Sequence, residues 1–422
     1  MTSTSLEATL KSLEKLYPKY IDLSLNRLNN LLEKLDNPHL KLPKIIHIAG
    51  TNGKGSTLSF IKYILTEHNI KVHCYISPHL ESIEERIVIR NKKIKKNKLL
   101  KALNYVKKIN NNNKITFFEI FTATAFYLFS KSKAEFLILE TGLGGRLDAT
   151  NIVKKSLLNI ITPISYDHQE FLGKNLKKIT NEKLGIIKEK SLIIIGKQKD
   201  FITKHIYKKI KNYNNKTLFH EKNFKIINLK EKEFIIKINN KKLTFIKPSL
   251  LGDHQFENAL LAIVACYEIK KIGYKINYNK INRALSKTKW PGRLEKIYKK
   301  NIEIFFDGAH NVGGAEQLNN YLSKKIKNTW VIIGMLNNKD IISFLKIIKN
   351  NINGVIPIKI PNEKNSYTTK EISNACKKLR INYINKKNIE SVKDYLFKII
   401  KPERILITGS LYLIGKIKKK LI

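Results

Sequence analysis

The residues best suited to chemistry lie between Lys44 and Thr57, where a short isoleucine-rich run ends in three glycines around Lys54. The alternating isoleucines predict a strand, and the apolar spacing from Leu58 onward predicts a helix. Glycines let backbone N–H groups turn towards an anion, and a helix N-terminus adds partial positive charge. This stretch therefore predicts a phosphate loop (residues 50–56) that binds a nucleotide, with Lys54 reaching the terminal phosphate oxygens.

The predicted loop departs from the standard pattern because Gly55 stands where a serine or threonine usually follows the lysine. The hydroxyl groups come one and two positions later, at Ser56 and Thr57. A glycine-lysine turn by itself is also compatible with an ordinary βα turn that binds nothing. The nucleotide interpretation therefore depends on the rest of the chain.

Polar side chains follow three further predicted strands. Ser77 ends a strand predicted from Val72, Glu140 ends an apolar run that starts at Ala134, and His168 follows a strand predicted over 157–162. Because ligands bind at the carboxyl ends of strands in open parallel sheets, these side chains are expected near the phosphate loop. A buried strand seldom ends in an unpaired glutamate for packing reasons. Glu140 and His168 are therefore candidate magnesium ligands, although a lone histidine is more often structural.

The elements around these strands have simple structural interpretations. Apolar spacing over residues 5–35, broken near Pro18, predicts two helices that pack on the core. Thr116 and Glu119 have the spacing of a capping box at the start of another helix. The functional alternative for this helix start is that Phe117 and Phe118 flank a flat ring substrate.

The βα pattern begins again past Pro291-Gly292-Arg293, with strands predicted at 302–307, 330–335, 354–360 and 405–410. Repeated βα units predict a second parallel-sheet domain. Its predicted strand ends carry Asp307 and Ser410 as polar groups. These features predict a cleft that closes on ATP and a second substrate, with the Pro-Gly-Arg segment as its hinge.

Composition limits the function classes. The 422 residues carry a formal net charge of +46, and the basic residues are 72 lysines and eight arginines spread along the chain. Proteins that read nucleic acid favour clustered arginine, so most of this charge is interpreted as solvated surface that attracts anionic substrates. Cys74, Cys266 and Cys376 lack metal-type spacing, which indicates a reducing compartment. Without a signal peptide or a membrane-spanning apolar run, a cytoplasmic protein is expected.

Taken together, these motifs resemble the folylpolyglutamate synthase / dihydrofolate synthase family of the Mur-type amide ligases. The resemblance covers nearly the full length, and a glycine after the loop lysine is usual in this family. The motifs that carry it, in order, are Gly50 through Ser56, Ser77-Pro78-His79-Leu80, Glu85-Arg86-Ile87, Glu140 through Asn151, Asp167-His168, Glu182-Lys183-Leu184-Gly185-Ile186, Pro291-Gly292-Arg293, Asp307-Gly308-Ala309-His310-Asn311 and Gly409-Ser410.

The resemblance implies an α/β fold of two domains. The first, over residues 1–291, is a P-loop NTPase-like domain of the Mur ligase central type, with a parallel sheet and sites for ATP and a pterin. The second, over residues 292–422, is a smaller Rossmann-like α/β domain that binds glutamate.

The resemblance also implies a role for each matching residue. The ATP-binding residues would be Thr51, Asn52, Gly53, Lys54, Gly55, Ser56, Asn258, Arg293 and Asp307. The ligands of two magnesium ions would be Ser77, Glu140, His168 and Lys183, the last as the family's carbamylated lysine. The pterin would contact Asp22, Leu23, Ser24, Thr116, Phe117, Phe118, Glu119, Leu147, Asp148 and Ala149, and the incoming glutamate would contact His310 and Ser410.

The implied reaction joins L-glutamate to dihydropteroate, to the γ-carboxylate of tetrahydrofolate, or to both, through an acyl phosphate made from ATP. Lys54, Lys183 and His310 are the expected catalytic residues. The base that deprotonates the amine of glutamate is left open between His310 and a carboxylate. A monomer is expected, with no membrane and no specific nucleic-acid partner.

Two other functions are alternatives to a folate ligase. A peptidoglycan Mur ligase shares both implied domains but needs a nucleotide-sugar-binding domain ahead of the phosphate loop, for which the preceding 49 residues are too few. A basic P-loop protein that binds nucleic acid predicts arginine–aromatic clusters and salt-sensitive RNA binding. In that protein Glu140, His168 and Lys183 would be expendable.

Overall fold

The computed structural model describes residues 5–17, 22–386 and 389–421, so the helix break predicted at Pro18 lies outside the described residues. The chain divides into two compact units. Unit one runs to Ile164 and continues over Leu172–Lys247 and Asn258–Lys287. Unit two comprises Ser165–Phe171, Pro248–Glu257 and the chain from Thr288 onward. Two short segments that precede residue 291 thus pack with unit two, and the domain limits given by the sequence stay a prediction.

The strands alternate with helices along most of the chain. The strands are β1 (Lys44–Ala49), β2 (Val72–Tyr75), β3 (Ile87–Ile89), β4 (Lys92–Lys93), β5 (Phe136–Glu140), β6 (Leu158–Ile161), β7 (Leu192–Ile195), β8 (Thr217–Phe219), β9 (Phe224–Leu229), β10 (Glu233–Ile238), β11 (Lys241–Ile246), β12 (Glu295–Lys299), β13 (Ile302–Phe306), β14 (Thr329–Ile333), β15 (Gly354–Pro357) and β16 (Arg404–Thr408).

The helices are α1 (Leu6–Glu14), α2 (Asn26–Lys34), α3 (Lys54–Glu67), α4 (Lys96–Asn110), α5 (Phe117–Ser130), α6 (Gln169–Leu172), α7 (Leu176–Leu184), α8 (Asp200–Ile210), α9 (His254–Lys271), α10 (Tyr278–Lys287), α11 (Val312–Leu322), α12 (Ile341–Ile348), α13 (Thr369–Leu379), α14 (Ile389–Asp394) and α15 (Leu411–Leu421). Among the described residues, none of these helices combines the length and the apolar character needed to cross a membrane.

Unit one is built on an eight-stranded sheet in the order β4-β3-β2-β5-β1-β6-β7-β8. Six neighbouring strands of this sheet, β2, β5, β1, β6, β7 and β8, run parallel. β3 and β4 form an antiparallel edge beside β2. β1 lies between β5 and β6, and every residue of β5 is buried, as expected for strands covered on both faces. The loops after β1, β2, β5 and β6 therefore meet at one edge of the sheet.

The helices of unit one hold this edge in place. α1, α2, α4 and α5 share one apolar core with Tyr75, Leu137 and Leu139 of the sheet. α5 begins at the predicted capping box, because the Thr116 hydroxyl accepts from the Glu119 N–H and Glu119 accepts from the Thr116 N–H. Unit one also contains a separate three-stranded antiparallel sheet in the order β11-β10-β9.

Unit two contains a five-stranded sheet in the order β12-β13-β16-β14-β15. β13, β16, β14 and β15 run parallel, whereas β12 forms an antiparallel hairpin with β13. The sequence did not predict β12, since Glu295–Lys299 lacks an alternating apolar pattern: Ile297 and Tyr298 are adjacent and lie between charged residues. The predicted two-domain α/β class with parallel sheets is confirmed.

Candidate active site

The phosphate loop has the predicted form of strand, loop and helix. β1 ends at Ala49 and α3 begins at Lys54, with Gly50 and Gly53 at φ +151° and +86°. A β-carbon on Gly50 would overlap the Thr162 hydroxyl, and one on Gly53 would overlap the side-chain oxygen of Asn258. Only glycine fits these two positions, and the predicted ATP contact Asn258 lies directly against the loop.

The loop is fixed by hydrogen bonds to the end of a neighbouring strand. The N–H groups of Thr51 and Asn52 donate to the Pro163 carbonyl at 2.9 and 3.3 Å. The first-turn N–H groups of an α-helix have no acceptor within the helix, so the start of α3 presents donors suited to an anion. The helix start at Lys54 to Ser56 is therefore the part of the loop whose N–H groups are best suited to an anion.

Two lysine ammonium groups converge on one carbonyl oxygen of this loop. Lys54 Nζ donates to the Gly50 carbonyl at 3.1 Å and to the Thr51 carbonyl at 3.2 Å. Lys183 is buried in α7, and its Nζ donates to the same Gly50 carbonyl at 2.9 Å. The two nitrogens are thus no more than 6 Å apart. Two like charges at this spacing, one buried and one half-buried, repel each other, so the arrangement favours an anion between or upon them.

Ser77 and Glu140 are brought together beside the phosphate loop's strand. The Ser77 N–H donates to Oε2 of Glu140 at 3.3 Å, and Glu140 is only 5% exposed. The Ser77 hydroxyl is buried and has no hydrogen-bond partner among the described residues. A hydroxyl and a carboxylate are hard oxygen donors, and magnesium is commonly held by one or two such groups together with substrate phosphates. These two residues fit a magnesium ion.

The remaining predicted metal ligands have different surroundings. Lys183 contacts the phosphate loop, whereas His168 belongs to unit two, where it lies beside Lys339. Within the described part of the chain, no group of three or more histidine, cysteine, aspartate or glutamate side chains is placed to hold a metal. A metal near Ser77 and Glu140 would therefore depend on ligands of other types.

Two of the segments assigned to the pterin are joined by Arg27. Its Nε donates to Oε2 of Glu119 at 3.2 Å, and its Nη groups bind the side chain and the carbonyl of Asp22 at 3.3 and 3.1 Å. The Tyr17 hydroxyl donates to the same Asp22 carboxylate at 2.6 Å. Leu23 and Ser24 follow directly, half-buried, so Arg27 holds the 22–24 segment against the start of α5.

Phe118 and Asp148 share a neighbour in Gly142. A β-carbon on Gly142 would lie 2.7 Å from the Phe118 ring and 3.3 Å from Oδ2 of Asp148. Phe117 faces elsewhere, because its ring packs on Phe121 with centroids 5.7 Å apart. Phe118 thus lies beside the loop that carries Leu147, Asp148 and Ala149, and its ring also packs on Tyr75 with centroids 5.9 Å apart.

Asp148 is a buried carboxyl group within that loop. It accepts from the Leu143 N–H at 2.8 Å and from the N–H and hydroxyl of Thr150 at 3.0 and 2.5 Å. Burial raises the pKa of Asp148, and hydrogen bonds from Thr150, Leu143 and Gly142 oppose that rise. Asp148 therefore organises its own loop as well as being a predicted pterin contact.

Unit two contains a group of polar residues that we call the Asp167 cluster: Asp167, His168, His310, Asn311 and Lys339. Lys339 Nζ donates to Asp167 Oδ1 at 2.5 Å and lies 3.4 Å from His168 Nε2. Asn311 donates to Asp167 Oδ2 at 3.1 Å, and His310 Nε2 lies 3.6 Å from the same oxygen. Burial raises the pKa of Asp167, but the hydrogen bond from His310 and the charges of His310, His168 and Lys339 hold it well below its usual range.

Two further predicted residues of unit two, Asp307 and Ser410, lie at the carboxyl ends of its strands, whereas Arg293 precedes β12. Asp307 follows β13 and accepts from the N–H groups of Leu294 and Ala309 at 2.8 and 2.9 Å. Burial raises its pKa, and the charge of Arg293 opposes this. Ser410 follows β16, the strand beside β13, and the Gly409 N–H donates to the Ala309 carbonyl at 3.0 Å. His310 and Ser410 thus share one sheet edge.

Replacing Lys339 by methionine is expected to lower the free energy of unfolding by about 3 kcal/mol, because Asp167 would keep a buried charge without its cation. Urea denaturation measures the change. Lys324 is a matched control, since its 2.5 Å pair with Asp253 is exposed, and Lys324→Met should cost at most about 1 kcal/mol. Equal losses in both variants would contradict a buried role for Lys339.

His254 predicts a pH dependence. Burial, aided by the charge of Arg293, lowers the pKa of His254 to about 4. An unfolded histidine has a pKa of about 6.5, so the unfolded state binds a proton that the folded state excludes between these values. Stability conferred by neutral His254 is therefore present above about pH 6.5 and is lost, by up to about 1.4 kcal/mol per pH unit, as pH falls towards 4. Urea denaturation across this pH range should show that the free energy of unfolding falls less steeply for His254→Gln than for the wild type. Equal slopes in the two proteins would contradict the role given to His254.

Sequence reasoning missed two residues that the structure places among the predicted ones. Arg27 lies three residues after the predicted Asp22-Leu23-Ser24 segment. Arginine is rare among the 80 basic residues of this chain, and this could have marked Arg27 as a candidate. Lys339 is one of 72 lysines and lies in an ordinary polar loop after β14, so nothing in its local sequence marks it.

Comparisons with known proteins agree with this geometry. The family model of the Mur ligase middle domain matches residues 48–266, and that of the dihydrofolate synthetase C-terminal domain matches residues 291–420. The dihydrofolate synthase/folylpolyglutamate synthase of Bacillus subtilis (strain 168) is 31% identical over 423 residues, covering 94% of this chain and 94% of that protein.

Solved structures show the same similarity over the full length. E. coli FolC in complex with DHPP and ADP has a TM-score of 0.89 and 26% identity, covering 99% of this chain and 98% of its own. A bifunctional folylpolyglutamate synthase/dihydrofolate synthase with Mn, AMPPNP and L-glutamate bound has a TM-score of 0.85 and 25% identity, with the same coverage. The chain therefore belongs to the dihydrofolate synthase/folylpolyglutamate synthase family of ATP-dependent ligases.

Proposed function

We propose that this protein joins L-glutamate to dihydropteroate, to the γ-carboxylate of tetrahydrofolate, or to both, at the expense of ATP. The observation that carries the proposal is the convergence of Lys54 and Lys183 on the Gly50 carbonyl at the start of α3. This concentration of positive charge is suited to ATP phosphates and to charge that develops during phosphoryl transfer. The DHPP, ADP and L-glutamate complexes of the structural relatives support the choice of substrates.

Magnesium would be held by Ser77 and Glu140, with His168 and Lys183 as the further predicted ligands. When bound, magnesium offsets negative charge on the phosphate oxygens. The predicted carbamate on Lys183 is supported by the proximity of Lys54, since a carbamate would convert two facing cations into an ion pair. A relative with Mn bound supports a divalent metal, and Ser56, Asn258, Arg293 and Asp307 stay predicted ATP contacts.

The reaction would proceed in two steps. An oxygen of the substrate carboxylate attacks the γ-phosphorus, forming an acyl phosphate as the bond to ADP breaks, while Lys54 offsets the charge on the transferred group. The amine of glutamate then attacks the acyl carbon and expels phosphate. Because the amine must lose a proton, a base is needed, and His310 is one candidate. Its Nδ1 lies 2.8 Å from the Gly308 carbonyl, so Nε2, 3.6 Å from Oδ2 of Asp167, is the nitrogen that would take up the proton.

In the proposed pterin pocket, Phe118 offers a ring face beside the buried carboxylate of Asp148, and Arg27 holds Asp22, Leu23 and Ser24 against Glu119. An aromatic face and a carboxylate suit a flat heterocycle that donates hydrogen bonds from one edge. The proposed glutamate contacts are His310 and Ser410. Within the Asp167 cluster, the Asp167 carboxylate lies 3.6 Å from Nε2 of His310 and would hold the ring in place.

The test is turnover by the purified protein. ATP is supplied with dihydropteroate or tetrahydrofolate, with and without glutamate, and both phosphate release and the glutamylated product are measured by mass spectrometry. Phosphate release that requires both a pterin and glutamate, with a product one glutamate heavier, is expected. Phosphate release indifferent to both pterins would sink the assignment, and turnover of only one pterin would settle which of the two joining reactions occurs.

We further propose a monomer in the cytoplasm. Cys74, Cys266 and Cys376 are free and buried, which is compatible with a reducing compartment. Light scattering on the purified protein tests the monomer, and fractionation of the source cells tests the location.

A further inference from the structure

A buried chain of hydrogen bonds joins the strand before the phosphate loop to the loop that carries Asp148. His47 lies in β1 with no exposed surface, and its Nε2 is 2.9 Å from the Thr150 hydroxyl. That hydroxyl donates to Oδ1 of Asp148 at 2.5 Å, and the Thr150 N–H donates to the same oxygen at 3.0 Å. The function proposed above gives no role to His47 or to Thr150.

With Asp148 ionised, the hydrogens in this chain have a single consistent arrangement. A hydroxyl has one proton, and Thr150 gives it to Asp148, so Thr150 must accept from His47. His47 is therefore protonated on Nε2, while Nδ1 is an acceptor that is buried without a partner among the described residues. Burial and the charge of Lys188 lower the pKa of His47 to about 3, which keeps the ring neutral. The direction of donation thus runs from His47 through Thr150 to Asp148.

The donors to Asp148 come from its own loop. They are the N–H groups of Gly142, Leu143 and Thr150 together with the Thr150 hydroxyl. Of these, only the hydroxyl can rotate away, and the His47 N–H is the group that holds it in place. Gly142 in turn lies against the Phe118 ring. The orientation of the carboxylate and its spacing from Phe118 therefore depend on a histidine that lies outside the pocket.

We propose that His47 is a positioning residue for the pterin pocket, acting through the Thr150 hydroxyl to hold the Asp148 carboxylate beside Phe118. The inference rests on the proposed function, because it assumes that a pterin binds at Asp148. Without the Nε2–H donor, the Thr150 hydroxyl is free to turn and the carboxylate loses one of its fixed donors. Recognition of the pterin should weaken, whereas the binding of ATP and glutamate should not.

The test separates the KM for each substrate from kcat. His47→Leu is expected to raise the KM for dihydropteroate about tenfold, the effect of one lost hydrogen bond, and to leave the KM for ATP within about twofold. His47→Gln keeps a donor near the position of Nε2 and should restore the KM for dihydropteroate to within about threefold. Thr150→Val should reproduce the effect of His47→Leu, and it provides the same test if the leucine variant does not fold.

His73 is the matched control. It is equally buried in β2, which β5 separates from β1, with Nε2 2.9 Å from the Ser132 carbonyl and Nδ1 accepting from the Arg90 N–H at 3.1 Å. His73→Leu should lower the melting temperature without changing the KM for dihydropteroate. In wild-type protein labelled with ¹⁵N-histidine, His47 should show a protonated, exchange-protected Nε2 and an unprotonated Nδ1.

The outcomes are distinct. Active wild-type protein whose KM for dihydropteroate is unchanged in His47→Leu and Thr150→Val would overturn this inference and leave the proposed function intact. A similar rise in the KM for dihydropteroate in His73→Leu would assign the effect to loss of packing, and this would also overturn the inference about His47. Wild-type protein that turns over neither pterin would sink the proposed function, and this inference with it.

Discussion

Lys54→Met is expected to lower kcat by about 10³-fold, with a much smaller change in the KM for glutamate. Lys54 is the first residue of α3, and its ammonium group bonds to the loop carbonyls of Gly50 and Thr51. In the proposed reaction it offsets charge that appears on the transferred phosphoryl group, so its loss should raise the barrier more than it weakens ATP binding. Steady-state kinetics with saturating ATP measure the change.

Lys62 provides the matched control for this variant. It lies two turns further along the same helix, where its ammonium group is 5.5 Å from the centroid of the Tyr63 ring. Lys62→Met makes the same chemical change away from the loop and should leave kcat within about twofold. If both variants lost activity equally, the loss would come from α3 as a whole and not from the loop lysine.

Glu140→Gln is the second change with a large expected effect. Glutamine keeps the size of the side chain and an oxygen, but it removes the charge of the carboxylate that lies beside Ser77. Activity at a fixed magnesium concentration should fall about 10²-fold or more, and the concentration needed for half-maximal activity should rise, because a charged metal ligand is lost. A magnesium titration of ATP turnover separates weaker metal binding from slower chemistry.

Glu268→Gln controls for the loss of a buried carboxylate in the same unit. Glu268 is 6% exposed in α9 and binds Lys216 and Lys271 at 2.9 and 2.5 Å. This variant should lose stability and keep the wild-type magnesium dependence. An unchanged magnesium dependence in Glu140→Gln would remove Glu140 from the proposed metal site.

The elements that hold the site could be predicted because local sequence decides them. The isoleucine run of β1 and the apolar run of β5 are short and continuous, as is typical of central strands. The glycines of the loop are also visible in the sequence, and the structure requires Gly50 and Gly53 where Thr162 and Asn258 approach. The capping box of Thr116 and Glu119 is a local pattern, and it is present. Strand order, by contrast, is decided by long-range packing and could be given only as a parallel sheet.

The contacts that depend on distant residues could not be predicted. Asp167 bonds to Lys339, which lies 172 positions away, and Glu119 bonds to Arg27 across 92 positions. Neither partner has a local signature, because a lysine in a lysine-rich chain and an arginine on an amphipathic helix are ordinary surface residues by sequence alone. In the structure Lys339 is buried against Asp167, and Arg27 is half-buried against Glu119.

The Phe117 and Phe118 pair shows the same limit. Adjacent aromatic residues suggested two faces of one ring site, but successive helix residues point about 100° apart. Both rings pack on the same core, but Phe117 stacks on Phe121, while Phe118 lies between Tyr75 and Gly142. Helical geometry favours one of the two rings for the proposed pocket, and substitution of each by leucine would assign the contact.

The most direct measurement of the central claim follows oxygen from the acid substrate to phosphate. Dihydropteroate labelled with ¹⁸O in its carboxylate is incubated with the protein, ATP and glutamate, and the released phosphate is analysed by mass spectrometry. An acyl phosphate requires one carboxylate oxygen to leave with the phosphate, so one ¹⁸O per phosphate is expected in each turnover. Phosphate free of label, alongside normal formation of glutamylated product, would contradict the proposed mechanism.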